Sequence, residues 1–477
     1  MNDSCHDRTA WRAAQSRREA NGRYPWLVLA LLLLVHLSSS MDRFIVSIAG
    51  QAIKQDFALA DWQLGLLTGF AFSVLYVVCG FPLARLADRA NRVTIISVCL
   101  VAWSAMTALC GLAANFVQLL VFRMGVGIGE AGCLPPSHSL ITDYFPGRRR
   151  TTAIACFGLG LPLGALVGMV AGGAAIDLVG WRATFLIIGL PGVVLALAVR
   201  FWIAEPRAGA NKRVSAGARQ PVEARKESLA FVARNIFSDV VARHVLLGMM
   251  LATLFTSPSL TFLAPYIVRS FGLSYSQVGM VVGGAQMGGM ALATIGAGLL
   301  ADHLGRRDPR WYFWVPAGSM LVGGPLLILA FAQPTWQLLM LLMFFASMIS
   351  AAYLAPSYAV LYAAVSPHWR ATTAAIAGAM MSMGGSSVGP IVCGAIIDWL
   401  TPVMFEQVHH SSFAALCTGG SSSTGAADLS IPDCRTAIAH STKLALMGLA
   451  LFCLWPAFHF LHAARVWKRQ GRSGLAQ

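Results

Sequence analysis

The sequence predicts an all-α polytopic membrane protein, with twelve transmembrane helices in two pseudo-symmetric six-helix bundles. Three observations carry this. Only 12% of the 477 residues are charged, against about 25% in an average soluble domain, and the mean hydropathy is +0.65. Apolar runs long enough to cross a bilayer, about 17–25 residues each, recur along the whole length. The second half of the chain also repeats the landmarks of the first. A transmembrane barrel would instead show alternation in segments of about ten residues, and none is found.

The predicted spans of the first half are 26–50, 62–84, 93–113, 117–142, 151–176 and 183–203. The first is too long for a cleaved leader and has no small-residue cleavage site before Asp42. A polar stretch, 207–242, follows. Within it Leu229, Val232, Ile236 and Val240 recur at helical intervals, which predicts an amphipathic helix on the membrane surface. The second-half spans are 243–268, 276–300, 312–332, 335–362, 372–398 and 443–464. The expected organisation is a basic tail (1–25), a bundle (26–206), a linker (207–242), a second bundle (243–464) containing an extracytoplasmic loop (401–442), and a short tail (465–477).

An even number of spans puts both termini on one side. Of the 35 Lys and Arg residues, only Lys54, Arg182, Arg269, Arg435 and Lys443 fall on the other side, and Arg43, Arg123 and Arg200 fall within spans. Positive charge gathers on the cytoplasmic side of short loops, so both termini are expected in the cytoplasm and the protein in the cell membrane. The net charge of +15 is thereby explained by orientation, without nucleic acid. Most cysteines sit singly in spans and read as small packing residues. Cys417 and Cys434 share the loop 401–442, where an oxidising compartment permits either a disulfide or free thiols.

The halves align with each other. At an offset of 221, Pro135 matches Pro356, Arg149 matches Arg370, Gly164 matches Gly385 and Asp177 matches Asp398. At 214, ARLADRANR (84–92) matches GLLADHLGR (298–306). Parallel repeats about an axis along the membrane normal put a substrate site between the halves near mid-membrane. Gly160, Gly164, Gly168 and Gly172 recur every four residues, and Gly385, Gly389 and Gly394 stand at related posts. Such faces admit close backbone approach, and we expect them at the seam between the moving halves.

The two nine-residue loops resemble the cytoplasmic loop signature of the major facilitator superfamily. SSSMDRFIVSIAGQAIKQDF, DWQLGLLTGFAFSVLY and FRMGVGIGEAGCLPPSHSLITDYFPGRRR narrow the resemblance to its Spinster-type lipid and lysolipid transporters. The resemblance implies alternating access, and an inner gate latched by Asp88 and Arg92, with Asp143, and by Asp302 and Arg306. The first loop departs from the signature at Ala84 and Asn91, and His303 replaces the usual Arg.

Arg200 is three residues from the end of its span, whereas four charges lie deep inside first-half spans: Asp42 and Arg43 in the first helix, Arg123 and Glu130 in the fourth. Each costs at least about 2.5–3.5 kcal/mol at mid-bilayer, so such residues face the interior and serve function. The repeat sharpens this, since Arg123 maps to Phe344 and Glu130 to Ala351; the fold itself does not require them. At 1.5 Å per residue, Asp42 and Arg123 lie within about a turn in height, and Glu130 two turns deeper. Burial disfavours a carboxylate's charge and a nearby Arg favours it, so such a group can load a proton on one side and release it on the other. Asp42 and Glu130 are the expected proton-coupling residues. Arg43 and Arg123 are their charge partners, or ligands for an anionic head. Static ion pairing between the two helices is the structural alternative.

Pro135 and Pro136 predict a kink in the fourth helix. Gly127, Gly129 and Gly132 predict close helix approach or room for substrate. His36 and His138 read as cavity residues. Phe72, Tyr76, Trp103, Tyr353 and Tyr358 are candidates to line a cavity.

A channel filter, a nucleophile–base set and metal-ligand spacing are all absent from the sequence. The expectation is therefore not an enzyme, with no cofactor or metal. It is a monomeric, proton-coupled secondary active transporter of an amphiphilic, lysolipid- or sphingoid-like substrate. Small organic anion symport and drug efflux by antiport are the alternatives.

Overall fold

The computed structural model describes residues 23–145, 149–206, 229–366, 369–417 and 431–470; Asp88 lies outside the described side chains. The regular structure of the described residues is all helical, with no strand. The first half contains α1 (Tyr24–Asp56), α2 (Asp61–Ala87), α3 (Arg92–Gly111) and α4 (Phe116–Tyr144). Next comes one long helical run, Thr152–Trp202, broken at Gly180, whose φ of 80° and ψ of 164° are non-helical. A left-handed φ is open to glycine at little cost. The break turns the run into α5 (152–179) and α6 (181–202), so eleven continuous helical stretches make twelve crossings.

The linker helix Leu229–Ser238 buries Val232 and Ile236 and sets Phe231 edge-on to Trp369 at 5.7 Å. The second half contains α7 (Val240–Phe271), α8 (Tyr275–Gly305), α9 (Trp311–Ala332), α10 (Trp336–Ala363), α11 (Thr372–His409) and α12 (Pro432–Arg469). Side chains start several helices by accepting free N–H groups of the first turn. Asn91 begins α3, Asn115 begins α4, Asp239 begins α7 and Ser274 begins α8. As the Pro135–Pro136 pair leads one to expect, α4 is interrupted, between Ala131 and Leu134.

One sequence boundary shifts. Much of 401–442 is helical rather than loop: α11 runs on to His409 and α12 starts at Pro432. Glu406, Gln407 and His409 lower the hydropathy there, but a helix that rises above the bilayer has no need to be apolar. Cys417 and Cys434 form a disulfide between a short helix, Phe413–Cys417, and the start of α12.

We call the end of the bundle where α1 starts and α12 finishes basal and the other end distal. The distal part of the first half shares one continuous apolar cluster with the second half, whereas its basal part forms a separate cluster. Between described residues, the hydrogen bonds that join the halves also lie in the distal portion. The halves are thus closed distally.

The expected glycine seam is corrected. Gly160, Gly164, Gly168 and Gly172 pack on His36, Leu37, Met41 and Ile45 of α1, inside the first half. Gly385 and Gly389 likewise pack on α7. The glycines that meet across the halves are Gly173, where a Cβ would overlap the Tyr275 carbonyl, and Gly279, where it would overlap that of Met169. Gly394 and Gly65 do the same against Asp61 and Pro390. One residue along a helix turns the face by about 100°, which is why Gly172 and Gly173 serve different partners.

Candidate functional site

The site begins where α1 crosses α4. Glu130, fully buried, takes two hydrogen bonds on one carboxylate oxygen, Oε2: from Arg43 Nε at 2.8 Å and from Ser39 Oγ at 2.6 Å. Its Oε1 has no partner among the described residues. The Arg43 side chain keeps 29% of its surface exposed, so it is the member of the pair that solvent or a ligand reaches. Its guanidinium lies 4.6 Å from the Phe72 ring centroid and 5.0 Å from that of Tyr76, which is cation–π geometry. Gly127 permits this packing, because a Cβ there would overlap the Phe72 carbonyl.

Arg123 and Asp42 are both buried, at 1% exposure. The expected pairing of their side chains is not what forms. Arg123 Nη1 donates to the backbone carbonyl of Asp42 at 3.2 Å. Arg123 Nε and Asp42 Oδ1 have no hydrogen-bond partner among the described residues. A buried polar atom left unpaired bears its full desolvation penalty, about 1–3 kcal/mol and more when charged. Such atoms are retained where they have work to do.

Tyr76 also lines a cavity of about 300 Å³ between α2, α4 and α11, with Phe81, Leu134 and Ala379 among its apolar walls. The charged pair therefore adjoins an apolar chamber that spans both halves. Among the other candidates, His36 Nδ1 meets the Phe157 carbonyl at 3.0 Å and His138 packs edge-on to the same ring. Trp103 is wholly buried. Tyr353 OH meets Thr253 Oγ1 at 2.9 Å, and Tyr358 packs on Tyr362.

Of the basal residues expected to latch a gate, Arg92, Asp143 and Asp302 make bonds to residues of their own halves. Arg92, fully buried, pairs with Asp143 at 2.7 Å and with Glu205 at 2.5 Å, and donates to Ser139 at 2.7 Å. Asp302 accepts from Tyr312 OH at 2.7 Å. Arg306 follows directly on α8 as its C-cap.

Sequence reasoning missed a second charged cluster, at the distal seam. Asp61 at the start of α2 accepts from Arg269 Nη2 of α7 at 2.6 Å and pairs with Lys54 of α1. Arg269 further donates to Gln51 at 2.7 Å and Thr442 at 3.0 Å. All of these side chains are buried. Lys54 and Arg269 read as solvated loop charges because hydropathy ends each span near them. The seven-residue spacing of Lys54 and Asp61 across a short turn was the available signal.

The sequence profile of the Major Facilitator Superfamily matches residues 32–262 and 245–405. The fold superposes on the crystal structure of a bacterial homologue of the human lysosomal transporter Spinster, in an inward-facing and unoccupied conformation. The TM-score is 0.84 with 29% identity, covering 95% of this chain and 99% of that one. The chain is 33% identical over 389 residues to an MFS-type efflux pump of Mycolicibacterium smegmatis, 81% of this chain and 87% of that protein. It is 26% identical over 299 residues to the cis,cis-muconate transport protein of Acinetobacter baylyi, 62% of this chain and 70% of that one. With two six-helix halves about a buried charged site, the chain belongs to the Major Facilitator Superfamily of membrane transporters, and its fold is that of the Spinster-type members.

Proposed function

We propose that this transporter carries an amphiphile with an anionic head by alternating access, driven by proton movement at Glu130 and Asp42. The observation that carries the reading is the Arg43–Glu130 pair beside the apolar chamber. Glu130 is sealed from solvent and occupies the inner side of Arg43; the outer side of Arg43 is exposed. An incoming anion and Glu130 then compete for one guanidinium. Protonating Glu130, whose Oε1 is open to take the proton, releases Arg43 to the anion. Proton and anion load together, which is symport. The neighbouring chamber, lined by apolar side chains, suits the tail, since each buried methylene contributes about 0.8 kcal/mol.

A second reading, symport of small organic anions, is favoured by the similarity to the muconate transport protein. It uses the same pair without the chamber.

The test reconstitutes the full chain in liposomes with an imposed pH gradient and follows radiolabelled oleoyl-lysophosphatidylglycerol and, separately, cis,cis-muconate. The expected result is lysolipid accumulation that an uncoupler abolishes. Glu130→Gln should retain binding and lose uphill flux. Uphill, pH-driven transport by both Glu130→Gln and Asp42→Asn would overturn the proton assignment. Muconate uptake without lysolipid uptake would select the second reading.

A further inference from the structure

The second half has a pocket at the post that the charged site occupies in the first. Registering the first two helices of each half by 214 sets Thr256 and Ser257 of α7 where α1 has Asp42 and Arg43, and Gln286 of α8 where α2 has Phe72. Registering the fourth helices by 221 sets Ala351 where α4 has Glu130. The seam glycines obey both offsets, Gly65 with Gly279 and Gly173 with Gly394, so the register is structural as well as textual. These mate positions, together with Thr253, Ser350 and Tyr353, line one cavity of about 170 Å³.

Every ionisable group at these mate positions has been replaced, yet the cavity keeps hydroxyl and amide groups set into a largely apolar wall of Leu260, Met290 and Leu354. Thr256 Oγ1 donates to the Ala252 carbonyl at 2.7 Å and Ser259 Oγ to the Thr256 carbonyl at 2.7 Å, which leaves their oxygen lone pairs as acceptors. Ser257, 4% exposed, lines the cavity with an Oγ that has no partner among the described residues. Gln286, 2% exposed, adds an amide that both donates and accepts. Thr68 of α2 and Thr261 of α7 meet at 3.3 Å one turn distal to Phe72 and Ser257, so the two sites lie under one roof.

We propose that this pocket is a second substrate subsite, which takes a neutral polyol group joined covalently to the anion held at Arg43. The inference rests on the anion reading of Arg43. A charged group would meet no counter-charge there and would pay its desolvation unaided. A hydrocarbon group would leave Ser257 and Gln286 unpaired. Vicinal hydroxyls, which donate and accept, fit donors and acceptors set side by side. The combination of an anion and a neutral diol occurs in lysolipids with a glycerol head and in small polyhydroxy acids alike.

The test measures equilibrium binding to the purified full chain with two matched pairs of probes. Oleoyl-lysophosphatidylglycerol and oleoyl-lysophosphatidylpropanol share tail and singly charged phosphodiester and differ only in the two hydroxyls of the head. Gluconate and hexanoate share carboxylate and chain length and differ in the hydroxyls. In any pair that binds, the polyol member should bind about ten-fold tighter, the effect of one or two hydrogen bonds. Gln286→Leu and Ser257→Ala should bring that ratio close to one, and Ser350→Ala should lower it if either of the first two fails to fold. Arg43→Ala should weaken both members. Equal affinities in the unaltered protein, or a ratio unmoved in all the pocket variants, would overturn the subsite. If only gluconate shows the pocket-dependent preference, the subsite stands and the amphiphile reading falls. If neither pair binds, both fall.

Discussion

Asp398, in the distal part of α11, caps α2 of the opposite half. Its carboxylate oxygens accept the Asp61 N–H at 2.9 Å and the Trp62 N–H at 2.8 Å. Asp177 of α5 does the same for α8, accepting from Tyr275 at 3.1 Å and Ser276 at 2.7 Å. Each half thus supplies an anion to the positive end of a helix in the other.

A carboxylate at a helix N-terminus contributes about 1 kcal/mol, so the two caps together hold the distal closure by about 2 kcal/mol. The double variant Asp177→Asn, Asp398→Asn should shift the population roughly thirty-fold toward distally open states. Spin labels on the distal ends of α5 and α8 would report this as longer distances. An unchanged distance distribution would show that the caps are incidental.

The backbone contacts at the same crossings make a second prediction. Gly279→Ala sets a methyl against the Met169 carbonyl, and overpacking of this kind costs about 1–3 kcal/mol. Distal closure should fail and flux should fall with it. Gly284→Ala, five residues on with no atom within 4 Å of its Cβ position, should leave both unchanged. Equal behaviour of the two variants would count against a steric seam.

The buried distal cluster sets one carboxylate, Asp61, between two cations, Lys54 and Arg269. Asp61→Asn leaves both cations unpaired in the interior and should cost about 3–5 kcal/mol, read as a lower unfolding temperature. Adding Lys54→Met removes one of those cations and should recover part of the loss. If the double variant is no more stable than the single, the charges are not coupled.

Arg92 separates a structural role from a gating one. Its bonds to Asp143, Glu205 and Ser139 all stay within the first half. Arg92→Ala should destabilise the protein by about 3–5 kcal/mol, since it breaks a buried ion pair by removing one partner, without moving the distal distance distribution. A shift of that distribution would favour the gating role.

The sequence carried the architecture well, because membrane spans are long apolar runs and a repeated gene half leaves repeated prolines and glycines. It also isolated Asp42, Arg43, Arg123 and Glu130, since a charge inside an apolar run is conspicuous. It did not pair them as the structure does, because which side chain of α1 faces which of α4 depends on helix rotation and rotamer. It matched Asp177 with Asp398 and found no use for them, because their partners are backbone N–H groups, which leave no mark in a sequence. It misjudged Lys54 and Arg269, because hydropathy treats any charge at the end of a span as wet. At Gly172 and Gly173 the glycine pattern was visible but the direction of each face was not.

The two distal crossings, α5 against α8 and α11 against α2, are counterparts under the repeat and share no helix. A lid fastened by two separate clasps can be undone one clasp at a time. Releasing the Asp398 crossing alone would part α2 from α11 and open a slit toward the surrounding hydrocarbon while the other crossing stayed shut. A long-chain passenger could then leave sideways into a leaflet without the whole mouth yawning to water. A small hydrophilic one would have to wait for both clasps.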